Sequence, residues 1–266
     1  MKHSINELNK HLWFLILLLI TGIVSPNAFA QKKKKKVKKN KGEVVDTINM
    51  QSNYGKLDLQ LTFLKGESYN HPTFAIWLED MEGNLIETLF VTQYYATGIF
   101  GNADAGDGTW KPTAGESIRP AALPYWSHKN NVISRDSIYA PTPENPVPDA
   151  ISGATPAGSF VLYTSASAKL PETFRILLEI NQTWDWNDYW TNNKYPNDKN
   201  YKSSAQPSLV YETKITADSP DQVFQMKAIG HGHYAGDNGQ LFNDLSTLST
   251  ALNIAKEIQV SLMTQN

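Results

Sequence analysis

At its first regular stretch the chain reads Leu57-Asp58-Leu59-Gln60-Leu61-Thr62-Phe63, in which apolar and polar side chains alternate. A period of two is typical of a β-strand with one buried face. Similar short strand patterns return at residues 74–79, 85–91, 159–164, 173–180, 209–215, 223–228 and 257–263. Two long loops, at 92–148 and 181–206, interrupt the series. We therefore expect an all-β fold, an antiparallel immunoglobulin-like β-sandwich with two long loops.

The N-terminal residues have the layout of a cleavable signal peptide. Lys2 and Lys10 precede an apolar run at residues 12–24, and Ala28-Phe29-Ala30 supplies the small-x-small cleavage site. The run is shorter than the roughly 20 apolar residues that a spanning helix needs. We expect cleavage near Ala30 and a periplasmic or secreted product. The expected organisation is a signal peptide at 1–30, a lysine-rich disordered linker at 31–52 and a single β-sandwich domain at 53–266.

The charge is unevenly distributed, although the formal net charge is only −2. Residues 32–41 hold eight of the 24 Lys and Arg, whereas residues 43–266 hold 14 basic and 25 acidic side chains, a net charge near −11. An acidic body repels a phosphate backbone, so we expect no nucleic-acid partner. The chain has no Cys, which excludes disulfides, zinc–thiolate sites and cysteine nucleophiles.

A short motif points to a cofactor, and it reads Asp149-Ala150-Ile151-Ser152-Gly153-Ala154-Thr155. It resembles the acceptor motif of bacterial flavin transferases, which join the phosphate of FMN to the hydroxyl of the final threonine. The resemblance implies covalent FMN on Thr155 and a flavin transferase as a partner. It also implies a cofactor-binding role for Asp149, Ser152, Gly153 and Ala154. The alternative is a surface turn in which Asp149 bonds its own backbone and Gly153 takes a positive φ.

A second candidate site lies in the glycine-rich stretch from Gly230 to Gly239. His231 and His233 are spaced i, i+2, and Asp237 follows them. Imidazole and carboxylate groups in this pattern can hold a divalent metal such as zinc, copper or iron. The alternative is structural: each imidazole bonds backbone in a tight loop, and residues 237–239 form a hairpin turn.

A third candidate is the aromatic segment at residues 183–190, where Trp184, Trp186 and Trp190 are interleaved with Asp and Asn. Such rings can stack on a sugar or a flavin, or they can bury themselves to hold a long loop in place. The sequence contains no Gly-x-Ser-x-Gly elbow, no His-Glu-x-x-His, no Walker loop and no Gly-x-Gly-x-x-Gly. We therefore expect a carrier or binding protein more than an enzyme.

Taken together, these motifs resemble one family of predicted periplasmic proteins, the domain of unknown function 2271. The resemblance covers nearly all of residues 74–262. The matching segments are 74–80 with Gly83 and Leu89, 149–155, 179–181, 184–187, 206–211, 230–232, 244–247 and 250–251. The family is distantly likened to the immunoglobulin-like domain of flagellar hook-capping proteins. Its genes often lie near those of flavin transferases and PepSY membrane proteins, which implies membrane redox partners and extracytoplasmic electron transfer, with a link to iron.

The leading hypothesis is an exported protein that takes part in extracytoplasmic electron transfer with FMN on Thr155. One alternative is a binding module that holds a metal, haem or glycan between the 230–239 loop and the 184–190 segment. Another is a structural or assembly component without a ligand.

Overall fold

The computed structural model describes residues 45–51, 57–106, 108–148, 151–219 and 222–263, all within one compact unit, Gly42–Asn266. In chain order the strands are β1 (Asp46–Met50), β2 (Leu57–Lys65), β3 (Thr73–Glu79), β4 (Leu85–Thr92), β5 (Ile99–Phe100), β6 (Ala103–Gly106), β7 (Thr109–Lys111), β8 (Gly115–Glu116), β9 (Ser152–Gly153), β10 (Phe160–Ala166), β11 (Thr173–Asn181), β12 (Leu209–Thr216), β13 (Val223–Gln225), β14 (Lys227–His231) and β15 (Ala255–Met263). The helices are α1 (Gln93–Thr97), α2 (Pro124–Lys129) and α3 (Lys199–Ser204), with 3-10 turns at Arg135–Ser137 and Ala251–Asn253.

The fold is all-β and is built on two main sheets. One has the order β1-β10-β2-β15-β13, and the other has the order β14-β12-β11-β3-β4-β9. Most neighbours are antiparallel, as the alternating pattern predicts, but β1 pairs parallel with β10 and β4 pairs parallel with β9. Both sheets are therefore mixed. The two strands β1 and β9 are short and far in sequence from their parallel partners, and a purely antiparallel prediction has no means of placing them.

The two sheets pack face to face around one apolar core. Leu59, Leu61 and Phe63 of β2 contribute from one sheet, and Phe74 and Ile76 of β3 contribute from the other. These side chains are the apolar members of the alternating patterns, so the inward faces follow from the sequence. Stacked aromatic pairs add about 0.5–1.5 kcal/mol each beyond burial. One of them joins Phe63 to Phe160 with ring centroids 4.9 Å apart.

A second core lies on the outer face of the six-stranded sheet. Trp77 and Leu177 point outward from that sheet and are buried under Tyr95, Leu123 and Trp126 of the segment at 92–148. This segment is therefore a folded third layer, with two short helices and two small hairpins. Burial of its aromatic side chains stabilises this segment in one conformation, since each large ring removes considerable apolar surface from water.

The start of the folded body differs from the predicted boundary at residue 53. Asp46–Met50 form β1, which pairs with β10 from Asp46↔Phe160 to Met50↔Thr164. Ile48 and Met50 share one face of β1 and pack against the apolar core, which is why the strand is ordered. The disordered linker predicted over 31–52 is therefore wrong for Asp46–Met50. The predicted signal peptide and the lysine run lie outside the described residues.

The strand predicted at residues 223–228 is two strands that belong to different sheets. Val223–Gln225 pairs with β15, whereas Lys227–His231 pairs with β12. The chain crosses between the sheets at Met226, which is buried in the core. This crossing carries β14 to the edge of the six-stranded sheet, where it ends at His231. In the described part of the chain, no helix is long and apolar enough to span a membrane.

Candidate functional site

The acceptor loop, residues 151–158, begins as an edge strand and continues as a surface loop. Its β9 strand pairs with β4 through Val91↔Ser152 and Thr92↔Gly153. Since β9 is last in the sheet order, its other backbone edge is unpaired by any described strand. Asp149 lies outside the described residues, so its predicted role in the motif stays a prediction.

Gly153 has a different role from the turn glycine considered above. It is not among the glycines with positive φ and lies in β9. A Cβ at this position would stand 2.7 Å from Cε2 of Phe90, whose ring is fully buried and stacked on Phe74. The missing side chain therefore lets the acceptor loop lie close against the core.

Thr155 lies two residues beyond β9, with its side chain half-buried and Ala154 exposed beside it. The residues that follow are held firmly. The hydroxyl of Tyr69 donates to the Pro156 carbonyl at 2.7 Å, and the Ala157 amide donates to Asp46 Oδ2 at 3.0 Å. The loop thus presents Thr155 between two fixed points, β9 before it and the Pro156–Ala157 anchor after it.

The second site is a cavity of about 290 Å³ between two segments that are far apart in sequence. We call it the histidine pocket. It is lined by Tyr189, Trp190, His231, Gly232, His233, Tyr234, Phe242, Asp244 and Thr247. The predicted histidine stretch and the predicted aromatic segment therefore meet at one cavity. Phe242 was missed by the sequence analysis because no motif marks it, and Tyr234, Asp244 and Thr247 lie in segments that were noted there without a role in this site.

The alternation of glycine and histidine at residues 230–233 has a packing cause. A Cβ on Gly232 would stand 2.5 Å from Pro124 Cγ and 2.6 Å from Ser208 Oγ. A Cβ on Gly230 would likewise meet Leu241 and the Phe242 carbonyl. Gly230 and Gly232 thus lie where a larger side chain would collide with neighbouring residues, and His231 and His233 line the cavity.

Hydrogen bonds assign opposite tautomers to the two histidines. His231 Nδ1 lies 2.7 Å from the Gly232 carbonyl, so Nδ1 carries a proton, and in the neutral imidazole Nε2 is then the acceptor. His233 Nδ1 accepts from the amides of Ala235 and Asp237, so its proton is on Nε2. Both rings bond backbone, as the structural alternative predicts. Only His231 has a free lone pair with which to bind a metal.

Asp237 lies beside His233 but does not complete a ligand set with the two histidines. Its Oδ2 is 3.9 Å from His233 Nδ1, the nitrogen that is already occupied by backbone donors, and the carboxylate is largely exposed. Among the described residues, no group of three His, Cys, Asp or Glu is arranged to hold a metal ion. The divalent metal stays a prediction that this geometry does not support.

The aromatic segment both anchors itself and supplies the pocket wall. Trp190 is buried, and its Nε1 donates to Thr247 Oγ1 at 3.2 Å. Tyr189 is 51% exposed, and the Lys194 ammonium lies 3.2 Å from the centroid of its ring. The self-burying interpretation thus holds for Trp190, whereas Tyr189 keeps an exposed ring at the edge of the cavity.

A buried carboxylate is linked to the histidine stretch through hydrogen bonds. Glu179 is fully buried and accepts from the amides of Tyr125 and Trp126 and from Ser208 Oγ. Burial raises its pKa to about 7, although these three hydrogen bonds act in the opposite direction. The Ser208 carbonyl in turn accepts the Gly232 amide at 2.9 Å. Glu179 therefore connects helix α2, through Ser208, to the histidine stretch.

The two sites lie at the same end of the six-stranded sheet and at its opposite edges. Gly153 pairs with Thr92 at one edge, and His231 pairs with Leu209 at the other. Leu209 pairs with Ile180, which pairs with Phe74 beside Thr92, so all these residues form one row across the sheet. Five strand spacings of about 4.8 Å separate the ends of that row by about 24 Å.

No protein-family model, no curated protein and no solved structure matches the chain.

Proposed function

We propose that the chain is an exported flavin carrier, with FMN esterified to Thr155, that takes part in extracytoplasmic electron transfer. A flavin transferase attaches the group, and membrane redox proteins are its electron partners. When bound, FMN supplies the electron chemistry, and the protein supplies placement and environment. The proposal includes membership of the domain of unknown function 2271 and periplasmic or secreted localisation.

The observation that carries the proposal is the position of Thr155. Its side chain is half-buried on a surface loop, so solvent reaches it, and the neighbouring Ala154 offers no bulk that would block an enzyme. No described residue forms a hydrogen bond with its hydroxyl. A threonine fully enclosed between the sheets would have been unsuitable as an acceptor.

The strand before Thr155 gives a transferase a means of recognition. A free backbone edge can pair with an extended segment of another protein, which is a common mode of peptide recognition. β9 offers such an edge directly before the acceptor residue. Because Gly153 must be small to lie against Phe90, part of the motif is needed for the fold and part is left for the transferase.

The attachment is a simple phosphoryl transfer. Thr155 Oγ1 attacks the flavin-side phosphorus of a flavin adenine dinucleotide, the pyrophosphate bond breaks, and AMP leaves. The hydroxyl proton passes to a base of the transferase. The new phosphodiester carries one negative charge and stays in solvent on a loop, so it needs no buried counter-ion.

The direct test is co-expression of the full chain with a flavin transferase, followed by fluorescence of the denatured band. The wild type should fluoresce and gain the mass of FMN less one water. Thr155→Val should be dark, and Thr155→Ser should keep the group. The control is Thr113→Val, the same substitution at an exposed loop threonine outside the motif. Circular dichroism confirms that each variant is folded.

Two results would refute the proposal. In one, the folded wild type stays dark although the transferase labels a known substrate in the same cells. In the other, Thr155→Val fluoresces as strongly as the wild type. Loss of fluorescence in Thr113→Val as well would mean that the variants interfere with expression or export, and purified chain and transferase would then be used in place of cells.

We also propose that the sandwich is of the immunoglobulin-like class. In that class strands B and E pair in one sheet, and strands C, F and G pair in the other. Here β2 pairs with β10 in one sheet, and β3, β11 and β12 are neighbours in the other, which supports the assignment. The last strand, β15, lies beside β2, where such a fold usually has its first strand.

A further inference from the structure

We propose that the histidine pocket binds one ring of a neutral saccharide. This site lies about 24 Å from the acceptor loop along the strand row. It is independent of FMN attachment, since none of its lining residues belongs to the acceptor loop.

The aromatic side chains of the pocket suit the apolar face of a sugar. Tyr189 is exposed, and Tyr234 and Phe242 are half-buried. Trp190 fixes the base of this wall, with ring centroids 5.1 Å from Tyr189 and 6.0 Å from Tyr234. A pyranose ring packs its C–H face on such rings and leaves its hydroxyls free to bond at the edge of the cavity.

The polar groups of the pocket suit hydroxyls, which both donate and accept. The tautomers described above make His231 Nε2 an acceptor and His233 Nε2 a donor. Asp244 adds an exposed carboxylate. Hydrogen bonds from Ser246 hold the pKa of Asp244 below its ordinary value. At neutral pH the carboxylate is therefore ionised, and it can accept hydrogen bonds but cannot donate them. One donor and two acceptors at the rim of an apolar wall form the pattern that a polyol ring requires.

The charges of the pocket disfavour anionic ligands. Lys194 is a cation beside the lining, but it lies over the Tyr189 ring and donates to the Tyr189 carbonyl at 3.3 Å. Asp244 places a negative charge at the rim, which repels a phosphate or a carboxylate. The two histidines cannot both offer lone pairs to a metal in their present tautomers. With anions and metal ions disfavoured, the pocket suits a neutral ligand with several hydroxyls.

The size of the pocket also selects the ligand. Its volume, about 290 Å³, lies at the lower end of the range for small-molecule sites. That volume suits a single sugar ring of a longer glycan and is too small for a haem. Tyr189 and Asp244 of the lining are exposed to solvent, so the remaining rings of an oligosaccharide can extend outward past them.

The test is calorimetric titration of the full chain with neutral hexasaccharides. The probes are cellohexaose, xylohexaose, laminarihexaose, maltohexaose, mannohexaose and chitohexaose, each at millimolar concentration, with zinc chloride and inorganic phosphate as competing chemistries. We expect at least one hexasaccharide to bind. Tyr189→Ala should weaken it by about three- to tenfold through lost stacking. Asp244→Asn should weaken it by roughly tenfold through a lost charge-assisted hydrogen bond.

The controls are matched by exposure. Tyr94 is 53% exposed and lies outside the pocket, so Tyr94→Ala should leave the affinity within about twofold of wild type. Asp218→Asn is the control for Asp244→Asn: it makes the same change of charge at an exposed position, and it should likewise leave the affinity within about twofold of wild type. The proposal fails if none of the hexasaccharides binds, or if binding survives Tyr189→Ala and Asp244→Asn unchanged. It also fails if zinc binds instead and His231→Ala removes the zinc.

Discussion

The acceptor loop and the histidine pocket stand at the two ends of one strand row, and they encode their chemistry in different ways. The motif of the acceptor loop is a run of consecutive residues in the sequence, and its described part, 151–155, includes an edge strand and is followed by two hydrogen-bonded anchors. The pocket draws its lining from residues between 189 and 247, and these meet only because β14 pairs with β12 and Phe242 pairs with His231.

The difference lies in what each site demands of the fold. The acceptor loop needs one hydroxyl to be reachable, and a surface position provides that with few contacts. The pocket needs rings, tautomers and a carboxylate in fixed relative positions, and buried groups such as Glu179 and Ser208 supply the support. Perturbations of the body should therefore damage the pocket more than the acceptor loop.

The largest expected effect is that of Gly232→Ala. The new methyl group would meet Pro124, Ser208 and Glu179 at 2.5–3.0 Å, and Ser208 and Glu179 are fully buried and hydrogen-bonded to each other, so neither can move away freely. Overpacking of this kind destabilises by about 3 kcal/mol. Urea denaturation should show that loss, and saccharide affinity should fall with it, while FMN attachment at Thr155 persists in the folded fraction.

The control for Gly232→Ala is Gly101→Ala. A Cβ on Gly101 would meet nothing within 4 Å, so its stability should stay within about 1 kcal/mol of wild type. Equal destabilisation by both substitutions would show that crowding around Gly232 is not the cause, and the contrast between the two regions would lose its structural basis.

The second effect is a pH dependence that originates beneath the pocket. Burial raises the pKa of Glu179 from its ordinary 4.5 to about 7 in the folded chain, so the folded state holds this proton more tightly than the unfolded state. Its contribution to stability is therefore greatest below pH 4.5 and is lost as the pH rises towards 7. The linkage amounts to about 3 kcal/mol over that window.

Urea unfolding at pH 5, 6, 7 and 8 measures this linkage, with Glu179→Gln as the variant that cannot titrate. The wild type should lose stability relative to Glu179→Gln as the pH rises from 5 to 7. Glu82→Gln, a change at an exposed carboxyl, should follow the wild type. A parallel pH profile for wild type and Glu179→Gln would mean that Glu179 keeps an ordinary pKa, with its three donors balancing its burial.

Local sequence patterns were sufficient for the strands and for the acceptor motif. The alternation at residues 57–63 places Leu59, Leu61 and Phe63 in the core, and the same reasoning locates the strands that pair with β2. Period-two alternation predicts strands and their inward side chains because one face of each sheet is buried. It gives no information about short parallel partners, so β1 and β9 were not predicted.

The histidine pocket was only half predictable for a related reason. His231, His233 and Trp190 were recognised because their residue types are unusual. Phe242 carries no motif, and Asp244 was noted only as part of the family resemblance; both reach the cavity through a single antiparallel bridge between His231 and Phe242. The burial of the polar residues, Glu179 above all, was not predicted, since a Glu inside an apolar strand is typical of a surface position.

A third and smaller effect is expected for Gly153→Ala in the acceptor loop. The added methyl group would stand 2.7 Å from the Phe90 ring, which is buried and stacked on Phe74. β9 is only two residues long and lies at an edge, so it can shift outward. We expect a loss of about 1 kcal/mol in the free energy of unfolding.

The yield of FMN on Gly153→Ala separates two interpretations of the motif. If Gly153 only fits the loop to Phe90, the purified and folded variant should accept FMN at a rate close to that of wild type. A much slower rate, measured by gel fluorescence over time, would mean that the transferase itself requires this glycine. Stability unchanged from wild type would show that Phe90 does not hold the acceptor loop.

The smallest expected effect is the absence of coupling between the two sites. Mutations more than about 7–10 Å apart with no shared partners are usually additive within about 0.5 kcal/mol, and these sites are about 24 Å apart. Thr155→Val should therefore leave hexasaccharide affinity within about twofold of wild type, and Tyr189→Ala should leave FMN yield unchanged. The double variant, measured by calorimetry and by gel fluorescence, completes the cycle. A coupling larger than this would mean that the strand row transmits a change from Gly153 to His231, because neither site contacts the other directly.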